Sequence, residues 1–200
     1  MTKKSKIVKH SLVEPDWQRE TVPQWWHPSS QLLKSIRRYQ QLAERGDVLS
    51  KLLQKWTVLH YRFWSVVAAA DIPINSKIKG GLKLPHPNGI VIHPNASIGY
   101  NCIIFQQVTI IAGVEIGSDV AICAGAKIIR PVKIGDRAVI GANAVVRTDV
   151  PAGATAVGIP ARIIPNPDRV EGEMVFDPAQ TEENTPKTAE KLANPQTPPT

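Results

Sequence analysis

The sequence predicts a mainly β protein: a parallel β-helix carrying a short N-terminal α-helical segment and a disordered C-terminal tail. Three observations lead there. An aliphatic residue returns at every sixth position from Ile92 through Ile98, Ile104 and their successors to Ile140 and Val146. A small or β-branched residue follows each by four places, from Ala96 and Cys102 to Ala144 and Val150, and Gly follows directly in Ile98-Gly99, Ile116-Gly117, Ile134-Gly135 and Ile140-Gly141. Neither a helix nor a single pleated strand has such a period. A hexapeptide repeat does: each hexad makes one short strand and a turn, about three hexads close a triangular coil, and stacked coils align the aliphatic side chains in interior columns. The third observation is a break in composition, because residues 166–200 are rich in Pro, Thr, Glu and Asn and poor in large apolar groups, so they are expected to stay disordered.

Residues 1–24 are polar and irregular and are expected to form a flexible arm. Residues 25–70 are expected to be helical. Leu32, Leu33, Ile36, Tyr39 and Leu42 recur at helical spacing between Ser29 or Ser30, as N-caps, and Gly46. Asp47 can cap a second helix, whose apolar residues run from Leu49 to Trp64 and must be covered by the first helix, the β-helix end or a neighbouring subunit. Trp25 and Trp26 read as a hydrophobic anchor ahead of the first helix. Residues 71–165 form the β-helix.

The aliphatic ladder extends backwards through Ile72, Ile78, Leu84 and Ile90, in a frame displaced by two residues. The interruption therefore lies between Leu84 and Ile92, where Pro85-His86-Pro87-Asn88-Gly89 is built of turn formers around one ionisable side chain. A regular solenoid that breaks register projects a loop there, and loops on rigid scaffolds carry chemistry. His86 is the leading catalytic candidate.

The net charge of +7 is unevenly distributed. Residues 1–66 hold 12 basic and 5 acidic side chains, residues 67–165 hold 9 and 5, and residues 166–200 hold 3 and 7. A basic body of this kind suits nucleic acid, an anionic membrane surface or a phosphate-bearing ligand. No nucleic-acid motif is present, so no nucleic-acid partner is expected. No run of about 18 uninterrupted apolar residues occurs, so stable membrane insertion is not expected and a cytoplasmic location is. The two cysteines, Cys102 and Cys123, sit at small-residue positions of the repeat and read as packing residues; no metal is expected.

Pro85-His86-Pro87-Asn88-Gly89-Ile90-Val91-Ile92, Phe105-Gln106-Gln107-Val108-Thr109, Ala124-Gly125-Ala126-Lys127-Ile128 and Val157-Gly158-Ile159-Pro160-Ala161-Arg162 resemble the serine O-acetyltransferases of the hexapeptide acyltransferase superfamily, over about residues 60–165. In known hexapeptide proteins the coil is left-handed. The resemblance implies transfer from acetyl-CoA to the hydroxyl of L-serine, by a homotrimer or a dimer of trimers with active sites between adjacent β-helices. It makes His86 the general base and Asp71 the carboxylate that orients it. It sets the pantetheine chain of the donor against Ala124, Gly125 and Ala142, although small residues there also suit any tight coil. Lys127, Arg147 and Arg162 are candidates for the CoA phosphates, with solvated corner residues as the alternative.

Longer members of that family insert a Gly-rich loop with an Arg and a second His where this chain runs straight through Ile110-Ile111-Ala112-Gly113-Val114-Glu115-Ile116. Pro85 also replaces an aspartate. The acceptor therefore stays open between serine and a sugar hydroxyl of polysaccharide biosynthesis. Two other classes compete: a zinc hydratase using His86 and His93, for which His60 is no convincing third ligand, and a non-catalytic assembly protein.

Overall fold

The computed structural model describes residues 11–21 and 25–166; the predicted tail beyond residue 166 lies outside the described residues. Three parallel sheets wrap one prism. The first face stacks Val91–Ile92, Thr109–Ile110, Lys127–Ile128 and Val145–Val146, with Asp71 bridged to Val91 at one end. The second stacks Lys77–Ile78, Ser97–Ile98, Glu115–Ile116 and Lys133–Ile134. The third stacks Ile103–Ile104, Ala121–Ile122, Val139–Ile140 and Thr155–Val157, and Arg162–Ile164 closes it antiparallel. In each two-residue strand the second residue, an isoleucine or valine, points into the prism and the first points away from it, as the alternation of a strand requires. On the third face the outward Ile103, Ala121 and Val139 form a second buried cluster. Ile98, Ile104, Ile110, Ile122 and Ile128 are each at most 1% exposed.

The register gives the loop its size. Val91 pairs with Thr109 and Thr109 with Lys127, each 18 residues apart, whereas Asp71 pairs with Val91, Lys77 with Ser97 and Lys83 with Ile103, each 20 apart. The two extra residues lie between Lys83 and Val91, where the sequence breaks frame. Across the run Ile110–Ile116, Ser97 still pairs with Glu115 at 18 residues, and Gly113 turns the chain at φ 76. No excursion leaves the coil there.

Corners demand left-handed backbone. Gly89, Gln107, Gly125 and Asn143 occupy one corner column at φ 71, 59, 72 and 55, a conformation that Gly and Asn accept most readily. The glycine after each repeat isoleucine serves differently. Gly99 has no positive φ; a Cβ there would run into the backbone of Gly117 on the next coil.

The helices are α1 (Pro28–Arg45) and α2 (Val48–Ala68). Asp47 caps α2 by accepting from the Ser50 N–H, as expected. Ser29 and Ser30 are not the N-cap of α1: His27 holds that position, two or three residues earlier, and Pro28 lies in the first turn, which a fixed φ and a missing N–H suit. Trp26 packs edge-on against Trp64 at 5.2 Å, which anchors the chain entering α1 to α2. Arg37 fastens α1 to the β-helix, donating to Glu20 at 2.8 and 3.0 Å and to the carbonyls of Ile78 and Lys79 at 2.6 and 2.7 Å.

The arm predicted for residues 1–24 does not stand free over residues 11–21. Asn101 donates to the carbonyls of Ser11 and Glu14 and accepts from the Asp16 N–H, while Ser118 donates to the Leu12 carbonyl. Pro15 and Trp17 lie where a side chain on Gly80 would be. These corner residues convert a polar segment into a strap, because four of its backbone groups, the Ser11, Leu12 and Glu14 carbonyls and the Asp16 N–H, find partners on the coil.

Beneath the strap, Asp119 is 1% exposed, and among the described residues its Oδ1 has no hydrogen-bond partner. Burial outweighs the attraction of Arg19 and Arg137 and pushes the carboxyl from 3.8 up to about 7. Between about pH 4 and pH 7 the folded chain holds a proton that the unfolded chain has released, so stability falls as pH rises through that window and levels off above it. Asp119→Asn removes this slope; thermal unfolding at about pH 5 and about pH 8 should differ less than in the unsubstituted protein. Equal pH dependence in the two proteins would refute the assignment.

Candidate active site

The loop carrying His86 is fixed at both feet. Leu84 and Ile90 are buried in the prism on either side of it. Gly89 donates to the Ala69 carbonyl at 2.7 Å, Ile90 to Pro87 at 3.2 Å, and the Gln107 N–H to the Asn88 carbonyl at 2.9 Å. Pro85 and Pro87 fix φ on both sides of the histidine. What remains at the tip, exposed, is the imidazole.

Asp71 lies beside the foot of this loop. Its N–H donates to Ile90 O at 2.8 Å and its carbonyl accepts from Ile92 at 2.9 Å, so Asp71 and the His86 loop are held on adjacent coils. Its side chain is also on the exposed side. Among the described residues no hydrogen bond joins the carboxylate to the imidazole. Catalytic contacts of this kind are commonly loose before substrate binds.

The donor candidates share the same corner. Successive bonds from Gln107 to Asn88, Gly125 to Gln106 and Asn143 to Ala124, each 2.9 Å, make one ladder from the His86 loop to Ala142. Three coil steps of about 4.8 Å span roughly 14 Å. The Gly125 N–H is consumed by that ladder and is not free for a ligand. The N–H groups of Ala124 and Ala142 have no acceptor among the described residues, and the buried Gln106 Oε1 has no donor. An extended amide chain lying along this edge would meet donors at Ala124 and Ala142 and an acceptor at Gln106, with no large side chain at the two alanines. The residues present therefore fit the pantetheine arm of CoA.

The cations divide. The Lys127 ammonium donates to the Gln107 carbonyl, which turns it along the edge toward the His86 loop. Arg147 and Arg162 are exposed at the other end, where Val145 bonds to Gly158 and Ala161 to Val145. Val145 is the register partner of Lys127, so the two arginines start from the coil next to it, although the Lys127 ammonium turns the other way. His93 is an exposed corner residue whose Nδ1 accepts from the Asn95 N–H at 3.1 Å. His60 sits on α2, bonded to Ser35 and Trp64. Cys102 is enclosed in the prism, where burial pushes its thiol up to about 12, and Cys123 packs outside it with Ile103, Ala121 and Val139.

A groove of about 630 Å³ runs along the second face between Gln40, Lys77, Glu115 and Lys133 and contains none of the residues predicted from sequence. Gln106 was quoted within a motif but not assigned a role. Its signal was available: a polar residue in a corner column otherwise made of small or turn-forming residues.

Coils of hexads with a single histidine-bearing excursion define the class, a hexapeptide-repeat parallel β-helix protein. Residues 113–148 match the family described as bacterial transferase hexapeptide (six repeats). Within that class the chain is similar to serine acetyltransferases. The serine acetyltransferase of Escherichia coli strain K12 is 39% identical over 121 residues, which cover 56% of this chain and 44% of that protein. A soybean serine acetyltransferase complexed with serine superposes with a TM-score of 0.58 at 29% identity, covering 70% of this chain and 58% of that one. A serine acetyltransferase in complex with CoA gives 0.59 and 31% over the same shares. The chain thus spans less than half the length of the Escherichia coli relative.

Proposed function

We propose that this protein is an acetyl-CoA-dependent O-acetyltransferase with L-serine as acceptor. The observation that carries the reading is the continuity of one edge: an exposed histidine on a two-residue excursion, a carboxylate on the adjacent coil, and a run of unpaired amide donors beside small residues below it. Similarity to proteins crystallised with serine and with CoA supports the same assignment.

A serine hydroxyl is too weakly acidic to attack a thioester unaided, so a base must take its proton as the new bond forms. His86 removes that proton while the hydroxyl oxygen adds to the thioester carbonyl. A backbone N–H of the Ala124–Ala142 edge stabilises the oxyanion. The tetrahedral intermediate collapses with cleavage of the carbon–sulfur bond, and the imidazolium returns its proton to the departing thiolate, giving ester and CoA thiol. Asp71 stabilises the imidazolium and holds its orientation. Acetyl-CoA is a co-substrate, and Lys127, Arg147 and Arg162 are the cations available to its phosphates.

The edge is open in one chain, and a second β-helix laid beside it would wall the groove. The resemblance to serine acetyltransferases makes the working assembly a homotrimer or a dimer of trimers. Sedimentation showing a fully active monomer would overturn that assembly.

The straight corner at Ala112-Gly113 favours a second reading for the acceptor. Without a cation from a loop there, a serine carboxylate loses a charge-assisted contact commonly contributing about 1.5–3 kcal/mol, equivalent to roughly tenfold to a hundredfold in affinity. The expected result is weak or broad acceptor use, measured as turnover on L-serine, serine amide and a panel of sugars at saturating acetyl-CoA. Use of L-serine at micromolar concentration with rejection of the amide would show that the carboxylate is read by another group. Preference for a sugar would transfer the protein to polysaccharide modification, and absence of thiol release with every acceptor would favour a non-catalytic assembly role.

A further inference from the structure

We propose that the outer face of α2 docks on an anionic lipid bilayer, lying along its surface. Leu49, Leu52, Trp56, Leu59, Phe63 and Val66 are between 53% and 80% exposed. Their spacing of three and four residues puts them in one stripe about 26 Å long. This stripe is not a core face left uncovered by mispacking, because α2 buries a different one: Ser50, Thr57, Trp64 and Ala68 face inward. Among the described residues no helix is long and apolar enough to cross a membrane, so the stripe suits an interface.

Charge selects the occupant. Lys51, Lys55 and Arg62 flank the stripe, all exposed, and α2 contains no Asp or Glu. Over residues 28–68 the two helices carry seven Lys and Arg against two acidic residues. Beside Trp56, a concavity of about 310 Å³ between the helices is lined by Lys34 and Arg38, which adds two more cations to the surroundings of the aromatic ring. A stripe of this spacing would also suit a second copy of α2, but that pairing sets cation against cation with no carboxylate at the flanking positions. A bilayer of anionic headgroups complements the same charges, and Trp, Phe and Leu are the side chains that enter its boundary.

The test is flotation of the full-length protein with vesicles of equal parts phosphatidylglycerol and phosphatidylcholine, against vesicles of phosphatidylcholine alone. The protein should float with the anionic vesicles only and be released by high salt. The double variant W56D/F63D should lower the bound fraction at least tenfold, and the pair Lys51→Gln and Lys55→Gln should weaken partitioning about thirtyfold. All four side chains are exposed, so unchanged circular dichroism and acetyl transfer in solution separate lost docking from lost fold or a failed enzymatic assignment. Failure to float with anionic vesicles, or equal flotation with neutral ones at high salt, would overturn the proposal. A fall in sedimentation mass of W56D/F63D together with no flotation of the unsubstituted protein would give the face to a second copy instead.

Discussion

His86→Ala is expected to lower acetyl transfer about 10²-fold or more, the usual contribution of a positioned general base. The side chain makes no hydrogen bond among the described residues and stands exposed on a loop whose feet are held by backbone bonds. Its removal should therefore leave the fold and CoA binding nearly unchanged. Thiol release at saturating acceptor measures the first effect and calorimetric titration of CoA the second. Turnover that survives the substitution would place the base elsewhere. Asp71→Asn keeps the size of the side chain and removes its charge, so it should reduce kcat by a smaller factor. A simultaneous rise in the acceptor KM, with the acetyl-CoA KM unaltered, would mark a second contact to the substrate amine.

Ile122→Ala is expected to have the largest effect on stability. Ile122 is fully buried and pairs with Ile104 on one side and Ile140 on the other, so its column is packed above and below. Removing the buried carbons loses their transfer free energy and leaves a cavity that rigid neighbouring coils cannot close, which together cost about 2–5 kcal/mol. For a chain of this size the midpoint of thermal unfolding should fall by roughly 10 °C. A shift too small to resolve would mean that the columns do not form the core.

Much of the architecture was legible because a solenoid is specified by neighbours at a fixed sequence distance. The six-residue ladder locates each inward side chain, and the change of frame before Ile92 locates the His86 loop to within a few residues. The start of α1 was misread by two or three positions, since Ser29 and Ser30 are favourable N-caps but His27 takes that place and Pro28 occupies the first turn. The free arm was misread more deeply. Nothing local in residues 11–21 specifies a partner; Asn101 and Ser118, about 90 and 106 residues away in the chain, supply it.

The candidate site divides along the same line. His86 was singled out from its place in the pattern alone, and its resemblance to a known family then named Asp71, Ala124, Gly125 and Ala142. That these residues share one edge, and that the Gly125 N–H is already spent while those of Ala124 and Ala142 are not, follows only from how the coils stack. Sequence by itself determined the coil, its inward columns and the position of the break, because each depends on a period that every hexad repeats. Tertiary structure decided which polar groups remain unpaired, how the strap closes over Asp119 and which face of α2 is left bare, because each depends on contacts between segments whose spacing no repeat encodes.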